Sequence, residues 1–185
     1  MEFEGLAIEG AWLARSPVHR DERGFFREWF RGDELPSATG REFKVVQSNT
    51  SLSAKGVLRG IHYSLAPQGQ AKWITCMAGS IWDVVVDIRP SSPTFKKWVG
   101  VELKGSSGDS LLISEGLGHA FIALEDDSVV TYLLTSPYSP KEEFGLNPLD
   151  DELAIHWPIN NPSLSPADEK AISISEAFAA NRLPI

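Results

Sequence analysis

The feature that most constrains the fold is a series of short apolar segments, separated by polar turns, from residue 72 to residue 134. Each segment has the length of one β-strand and is too short for an ordinary globular helix. The turns between them are rich in Gly, Ser and Asp, which favour reversals of the chain. In order, segments and turns are KWITCM, AGS, IWDVVVDI; WVGVEL, GSSGD, SLLI; and HAFIAL, EDDS, VVTYLL. The pattern predicts three β-hairpins within an antiparallel sandwich or barrel.

The rest of the chain is expected to extend this all-β domain. The run from Trp82 to Ile88 is nearly all apolar, which predicts a strand covered on both faces. Residues 1–50 are less regular but contain the strand-like pieces AWLARS and FKVVQSN. The segment PADEKAISISEAFAAN, with Pro166 and acids in its first turn, predicts a short helical segment within 163–185. Since no repeat or linker divides the chain, residues 1–185 are expected to form one domain.

Composition narrows the class of partner. A net charge of -8 argues against nucleic-acid binding, which needs clustered Lys and Arg. The single cysteine, Cys76, excludes an internal disulfide and any multi-cysteine metal site. No apolar run approaches the roughly 18 residues of a membrane span, and the N-terminus does not resemble a signal peptide. A cytoplasmic protein without a membrane partner is therefore expected.

Two histidines stand in segments that resemble the motifs of the cupin barrel. In GVLRGIHYS, Gly56 is followed six residues later by His62, as in the first cupin motif. That motif continues with a second His and an acid as metal ligands, but here Ser64 stands at the second position and no acid follows. In GDSLLISEGLGHAF, His119 matches the second motif. Because imidazole-rich sites need three or four ligands, the pattern predicts a cupin-type jelly roll without a metal cofactor. Ordinary core or surface positions remain the alternative for each histidine.

The cupin-like motif and the predicted strands carry residues suited to proton transfer at a carbon beside a ketone. Inversion of such a carbon, an epimerisation, needs a base on one face of the carbon, an acid on the other and a cation beside the enolate oxygen. Imidazole, phenol and ammonium groups fit these three roles, and His62, Tyr132 and Lys72 supply them. Lys72 opens an otherwise apolar strand, where a charge is costly unless it is paired or used. A strand end with its ammonium in water is the competing interpretation.

Several motifs, taken in order, resemble the dTDP-4-dehydrorhamnose 3,5-epimerase family. They are HRDERGFFREWF, VVQSNTS, GVLRGIHYS, QAKWITCMAGSIWDVVVDIRPSSPTF, ISEGLGHAF and YSPKEE. The resemblance implies a homodimeric jelly-roll cupin that acts on dTDP-4-keto-6-deoxyglucose without a metal or redox cofactor. It also implies His62 as base, Tyr132 as acid, Lys72 as the enolate-stabilising cation and Asp168, in LSPAD, as the residue that orients His62.

Substrate contacts follow from the same resemblance. The residues that match the family's diphosphate, sugar and base contacts are Arg23, Phe26, Glu28, Gln47, Asn49, Arg59, His119, Tyr138 and Glu143. Core packing is the alternative for Phe26 and Tyr138. The N-terminal segment of this family crosses to the other subunit, so Arg23, Phe26 and Glu28 are expected to complete the partner's site.

Departures from the family pattern leave the reaction open. Ala167 replaces the Lys of LSxKD, Ser64 replaces the Gln of HYQ, and GHAF replaces AHGF. The segment GLNPLDDEL also differs from the family's GxxWxDP pattern. These changes alter how the sugar lies without removing base or acid. The alternatives are an epimerase of C3 or C5 only, a non-catalytic sugar-nucleotide-binding cupin and a metal-dependent cupin dioxygenase, which Ser64 disfavours.

Overall fold

Two antiparallel sheets dominate the computed structural model, which describes residues 1–67 and 69–184. The six-stranded sheet has the order β1 (Glu2–Gly5), β2 (Ala11–Arg15), β10 (Asp109–Ile113), β7 (Lys72–Ala78), β12 (Ser128–Leu134) and β5 (Gln47–Ser53). The five-stranded sheet has the order β13 (Glu143–Gly145), β6 (Leu58–Ser64), β11 (Leu117–Ala123), β8 (Ser80–Asp87) and β9 (Trp98–Lys104). A separate hairpin consists of β3 (Val18–Asp21) and β4 (Gly24–Arg27). The predicted all-β class is confirmed, and the two sheets form an open sandwich rather than a closed barrel.

The three predicted hairpins are wrong in their pairing, although their strands lie where the sequence predicts them. β7 and β8 belong to different sheets, as do β9 and β10, and β11 and β12. β7 pairs with β10 and β12, and β8 pairs with β9 and β11. A hairpin and a corner between facing sheets show the same apolar alternation, so the pattern does not distinguish them. Each turn is a corner, which places consecutive strands on opposite walls of the sandwich.

The corner between β7 and β8 depends on a glycine. Gly79 has a φ of 71°, in the region that favours glycine over other residues. A Cβ at this position would lie 2.9 Å from the Cα of Ser128. Both the backbone conformation and the close approach of β12 therefore require glycine, which fixes the corner that precedes β8.

Three apolar layers hold the sheets together. Between the sheets lie Ile74, Cys76, Val85, Leu111, Phe121 and Val130, among others. A second layer covers the outer face of the five-stranded sheet with C-terminal residues, and a third covers the outer face of the six-stranded sheet with N-terminal residues. β8 is buried on both faces, as the run from Trp82 to Ile88 predicts. Side chains that face inward from either sheet therefore meet in one interior space.

The terminal segments differ in detail from their predicted structure. AWLARS forms β2, whereas β5 begins at Gln47, so the FKVV part of FKVVQSN lies outside a strand. The predicted C-terminal helical segment consists of two short helices, α2 (Pro166–Glu169) and α3 (Ile174–Ala179). Ser173 is the N-cap of α3, so a new helix begins there instead of α2 continuing. A further short helix, α1 (Leu35–Thr39), lies in the N-terminal layer. No helix in the described residues is long and apolar enough to span a membrane.

Candidate active site

A cavity of about 500 Å³ is lined by strands of both sheets and by α2. All four predicted catalytic residues line it: His62, Lys72, Tyr132 and Asp168. Its other lining residues are Asn49, Gln70, Leu134, Tyr138, Glu143, Phe144, Gly145, Ala167 and Ala171. A larger cavity of about 780 Å³ is lined by a different set, which includes Arg89, Glu115 and Phe178 and none of the predicted catalytic residues. The smaller cavity is therefore the candidate active site.

A bulge in β6 turns His62 and Arg59 toward the same side. His62 pairs with His119 on β11, and Arg59 pairs with Phe121, so three residues of β6 correspond to two of β11. Side chains two positions apart on a strand share a face, whereas those three apart do not. Because Phe121 lies in the layer between the sheets, the extra residue directs both His62 and Arg59 toward the interior. A regular strand would send one of them outward.

His62 forms a pair with Asp168, here called the His–Asp dyad. His62 Nε2 lies 2.7 Å from Asp168 Oδ1, although 106 residues separate the two in sequence. Asp168 is buried, whereas the side chain of His62 is 49% exposed and accessible from the cavity. Burial alone would raise the pKa of Asp168, but hydrogen bonds from His62 and Ser165 outweigh it and hold that pKa below its ordinary value. Asp168 is thus an anion, and next to a neutral imidazole it favours the tautomer of His62 with the proton on Nε2.

Lys72 is a buried lysine on the opposite wall. It precedes Trp73, which faces the N-terminal layer, so Lys72 points to the interior with Ile74. Its Nζ lies 3.4 Å from the backbone oxygen of His62. Burial lowers the pKa of Lys72, and the carboxylates of Glu143 and Asp83 oppose that effect. The competing interpretation, a solvated strand end, is wrong, because Lys72 is only 7% exposed.

Tyr132 faces the dyad from the other sheet. It lies on β12, in the six-stranded sheet, whereas His62 lies on β6, in the five-stranded sheet. Its cross-strand neighbour on β5 is Asn49, whose Oδ1 accepts a 2.9 Å hydrogen bond from Gln47. The Oε1 of Gln47 in turn accepts a hydrogen bond from the backbone N–H of Tyr138. This chain of contacts connects the predicted acid to the exposed ring of Tyr138 at the edge of the cavity.

Two polar residues at the site were missed in the sequence. Gln70 is buried, and its side-chain nitrogen donates to Glu143 Oε1 at 3.2 Å. Asp83 is buried on β8, and both of its carboxylate oxygens lie 3.0 Å from Nε2 of His119. Asp83 could have been found as a lone acid in the apolar run IWDVVVDI, where a charge requires a partner. Gln70 had no such signal.

The remaining predicted contact residues are dispersed. Arg59 and His119 do not line the cavity; Arg59 donates to Ser53 Oγ and to the backbone oxygen of Leu52. Arg23 and Phe26 lie on the exposed β3–β4 hairpin, and Glu28 follows it. Arg23 forms an ion pair with Asp21, and none of the three lines the cavity. Their predicted role in a partner's site stays a prediction.

The histidines and carboxylates that the structure describes at the site are not clustered as metal ligands. No group of three or more His, Cys, Asp and Glu residues is arranged to hold a metal ion in the described part of the chain. The Nε2 atoms of His62 and His119 instead lie within hydrogen-bond distance of a carboxylate, that of Asp168 and that of Asp83 respectively. This arrangement suits acid–base chemistry.

Comparison with known proteins agrees with this geometry. The sequence profile of the dTDP-4-dehydrorhamnose 3,5-epimerase family matches residues 5–176. The chain belongs to this family. It is 47% identical over 185 residues to the dTDP-4-dehydrorhamnose 3,5-epimerase of Mycolicibacterium smegmatis, with 100% of this chain and 91% of that relative covered.

Two solved structures of epimerases superpose closely. NovW of Streptomyces spheroides, a 4-keto-6-deoxy sugar epimerase from the novobiocin biosynthetic gene cluster, has a TM-score of 0.97 at 43% identity, covering 100% of this chain and 92% of that chain. ChmJ of Streptomyces bikiniensis, a 3'-monoepimerase solved in complex with dTDP-quinovose, has a TM-score of 0.93 at 44% identity, covering 97% and 91%.

Membership of the family makes this protein an isomerase, a dTDP-sugar epimerase with the cupin-type fold. The predicted resemblance is confirmed, and a small-molecule dTDP-sugar is the ligand that the findings support. The relatives differ in the carbons that their names specify, so the reaction has to be argued from the site.

Proposed function

We propose that the protein is a dTDP-4-dehydrorhamnose 3,5-epimerase. It converts dTDP-4-keto-6-deoxy-D-glucose to dTDP-4-keto-L-rhamnose, a step of dTDP-L-rhamnose biosynthesis. The observation that carries the proposal is the placement of His62 and Tyr132 on opposite sheets around one cavity. A ring bound between the two sheets presents one face to the imidazole and the other to the phenol, which is what inversion of a carbon requires.

The reaction begins with His62. Its free ring nitrogen takes the proton from a carbon next to the C4 ketone, and the electron pair of that C–H bond moves into an enolate with the negative charge on O4. The imidazolium that results is stabilised by the adjacent Asp168 anion. Since the His62 side chain is half-exposed, it can release this proton to solvent before the next cycle.

Lys72 and Tyr132 complete the step. The ammonium of Lys72 stabilises the enolate oxygen, and its charge acts strongly because Lys72 itself is buried away from water. The phenol of Tyr132 then donates its proton to the carbon from the other face, which inverts the centre, and the phenolate is reprotonated from solvent. Repetition at the second carbon beside the ketone gives the 3,5-epimer.

The nucleotide lies toward the exposed end of the site in this proposal. Tyr138, at the edge of the cavity, offers a ring face for stacking on the base. Asn49 and Glu143 line the cavity and can bind sugar hydroxyls, with Gln47 behind Asn49. The remaining contacts of the sugar and diphosphate are assigned to Arg59 and His119.

Epimerisation of a single carbon is the second candidate. It is favoured by ChmJ, a 3'-monoepimerase that is about as similar to this chain as the 3,5-epimerase of M. smegmatis. Ala167 also lines the cavity at the position where the family pattern has Lys. Because Ala167 lacks the long lysine side chain, space is left beside Asp168, and the cavity wall against which the sugar lies has a different shape.

Deuterium exchange distinguishes the two candidates. The protein is incubated with dTDP-4-keto-6-deoxyglucose in heavy water, and the C3 and C5 protons are followed by NMR. We expect deuterium and inversion at both carbons. Inversion at one carbon only would replace the proposal with a mono-epimerase, and exchange at neither carbon would remove the epimerase reaction on this substrate.

We further propose a homodimer in which the β3–β4 hairpin completes the partner's active site. The hairpin carries Phe25 and Phe26, both exposed, and Arg23 lies at its turn. At the edge of the six-stranded sheet, β5 has β12 as its one strand partner within the described residues, and Leu52 on it is 62% exposed. Exposed aromatic rings and a free strand edge favour association with a second chain.

Mixing two defective variants tests the shared site. Arg23→Ala removes a diphosphate contact, and His62→Asn removes the base. In a mixed dimer with exchanged hairpins, one site would contain both defects and the other neither. Equal mixing should then restore about a quarter of wild-type activity, because about half of the dimers are mixed and each has one intact site. No recovery in confirmed mixed dimers, or a fully active Arg23→Ala variant, would contradict the exchanged hairpin.

A further inference from the structure

The hydroxyl of Ser165 makes two contacts with Asp168. It accepts a 3.1 Å hydrogen bond from the backbone N–H of Asp168, which makes Ser165 the N-cap of α2. It also lies 2.9 Å from Asp168 Oδ2, to which it donates its only proton. The two carboxylate oxygens therefore have different partners: Oδ2 accepts from Ser165, and Oδ1 faces His62.

The same local arrangement occurs a second time eight residues later. Ser173 caps α3, accepts from the backbone N–H of Glu176 and donates to Glu176 Oε2 at 2.9 Å. Glu176 completes an ordinary capping box by accepting from the backbone N–H of Ser173, and it does not line the active-site cavity. In the arrangement at α2, Asp168 contacts the ring of His62 instead of the backbone N–H of its N-cap residue. The Ser173–Glu176 motif therefore has only a local capping role, whereas the Ser165–Asp168 motif also contacts the proposed base.

We infer that Ser165 is a positioning residue for catalysis, which acts through Asp168 on His62. Its hydrogen bond restrains rotation of the carboxylate, so that Oδ1 stays directed at His62 Nε2. It also stabilises the anionic form of Asp168, which keeps His62 in the tautomer with its proton on Nε2. The second ring nitrogen then carries the lone pair that takes the substrate proton.

This inference rests on the proposed role of His62 as base. Removal of the Ser165 hydroxyl leaves the buried Asp168 with one donor fewer, so its carboxylate is less restrained in rotation and easier to protonate. A hydrogen bond to a charged group is worth about tenfold or more in rate when it is needed in the transition state. The loss should appear in kcat, because Ser165 touches the positioning carboxylate rather than the substrate.

Three variants separate positioning from helix capping. Ser165→Ala should lower kcat about tenfold or more while KM changes little. Ser165→Thr keeps the hydroxyl, and the exposed position of Ser165 leaves room for the extra methyl group, so its kcat should stay near that of wild type. Ser173→Ala removes the matched cap of α3 and should leave kcat unchanged. If Ser165→Ala keeps wild-type kcat, or Ser173→Ala loses as much, the inference is overturned.

Imidazole NMR gives a readout that does not depend on turnover. In protein with ¹⁵N-labelled histidine, the signals of His62 are identified by their loss in His62→Asn. At a pH where the imidazole is neutral, His62 of wild type should carry its proton on Nε2, and Ser165→Ala should show a mixture of tautomers. An unchanged tautomer in Ser165→Ala would overturn the inference. Failure of the proposed function is distinct: wild type would then show no exchange at the sugar carbons, or His62→Asn would remain active.

Discussion

Replacement of His62 by asparagine is expected to lower the epimerisation rate by roughly 10³-fold, within the range of general acid–base catalysis. Asparagine has no group that accepts a proton from carbon near neutral pH. Its amide can still donate to Asp168, so the buried carboxylate retains a partner and the fold should persist. The rate is measured as product formation and as loss of the C3 and C5 proton signals in heavy water.

His156 provides the matched control for this variant. It is an exposed histidine whose ring packs edge-on against Trp98, away from the cavity. His156→Asn removes an imidazole without touching the proposed base, so it should turn over at the wild-type rate. A His62→Asn protein that keeps even a tenth of wild-type exchange would show that another group takes the proton.

Replacement of Tyr132 by phenylalanine is expected to separate proton exchange from inversion. The variant keeps His62, Asp168 and Lys72, so the proton next to the ketone should still be removed. Without the phenol, His62 is the remaining donor, and it returns a solvent deuteron to the face from which the proton came. Inversion should fall by roughly 10²-fold or more, whereas deuterium should still enter the substrate with its configuration unchanged.

Tyr63→Phe controls for loss of a phenol elsewhere in the sandwich. Tyr63 is buried on the outer face of the five-stranded sheet, and its hydroxyl donates to the backbone oxygen of Arg182 at 2.7 Å. Its loss should cost about 1 kcal/mol of stability and leave the ratio of inversion to exchange unchanged. Wild-type inversion in Tyr132→Phe would show that the opposite-face acid is a different group.

Much of the fold could be predicted from sequence because strands have a local signature. The six apolar segments from residue 72 onward match β7 to β12, three strands of each sheet, closely. Their pairing could not be predicted, since a turn such as the one at Gly79 has the same composition in a hairpin and in a corner. Likewise, the break between α2 and α3 depends on the cap at Ser173, which lies inside a stretch with acceptable helical composition.

The candidate site was predictable where a residue stands in a recognisable motif. Lys72 and Tyr132 fall on strands that the apolar pattern predicts, and His62 stands in a segment that resembles a cupin motif. Asp168 was found through the resemblance to the family alone. The inward direction of Arg59 depends on the bulge in β6, which no local pattern reveals. Ser165 appeared to be an ordinary helix cap because its second hydrogen bond matters only once Asp168 meets His62 across 106 residues.

His62 and Tyr132 are proposed to act on opposite faces of the sugar ring and to exchange their protons with solvent. The isotopic content of the product tests this proposal most directly. Wild-type enzyme is incubated in heavy water, and the inverted carbons of early product are examined by NMR and mass spectrometry. We expect one solvent deuterium at each inverted carbon, because His62 loses the substrate proton to solvent and Tyr132 delivers a solvent deuteron. Inverted carbons that retain the original hydrogen would contradict it.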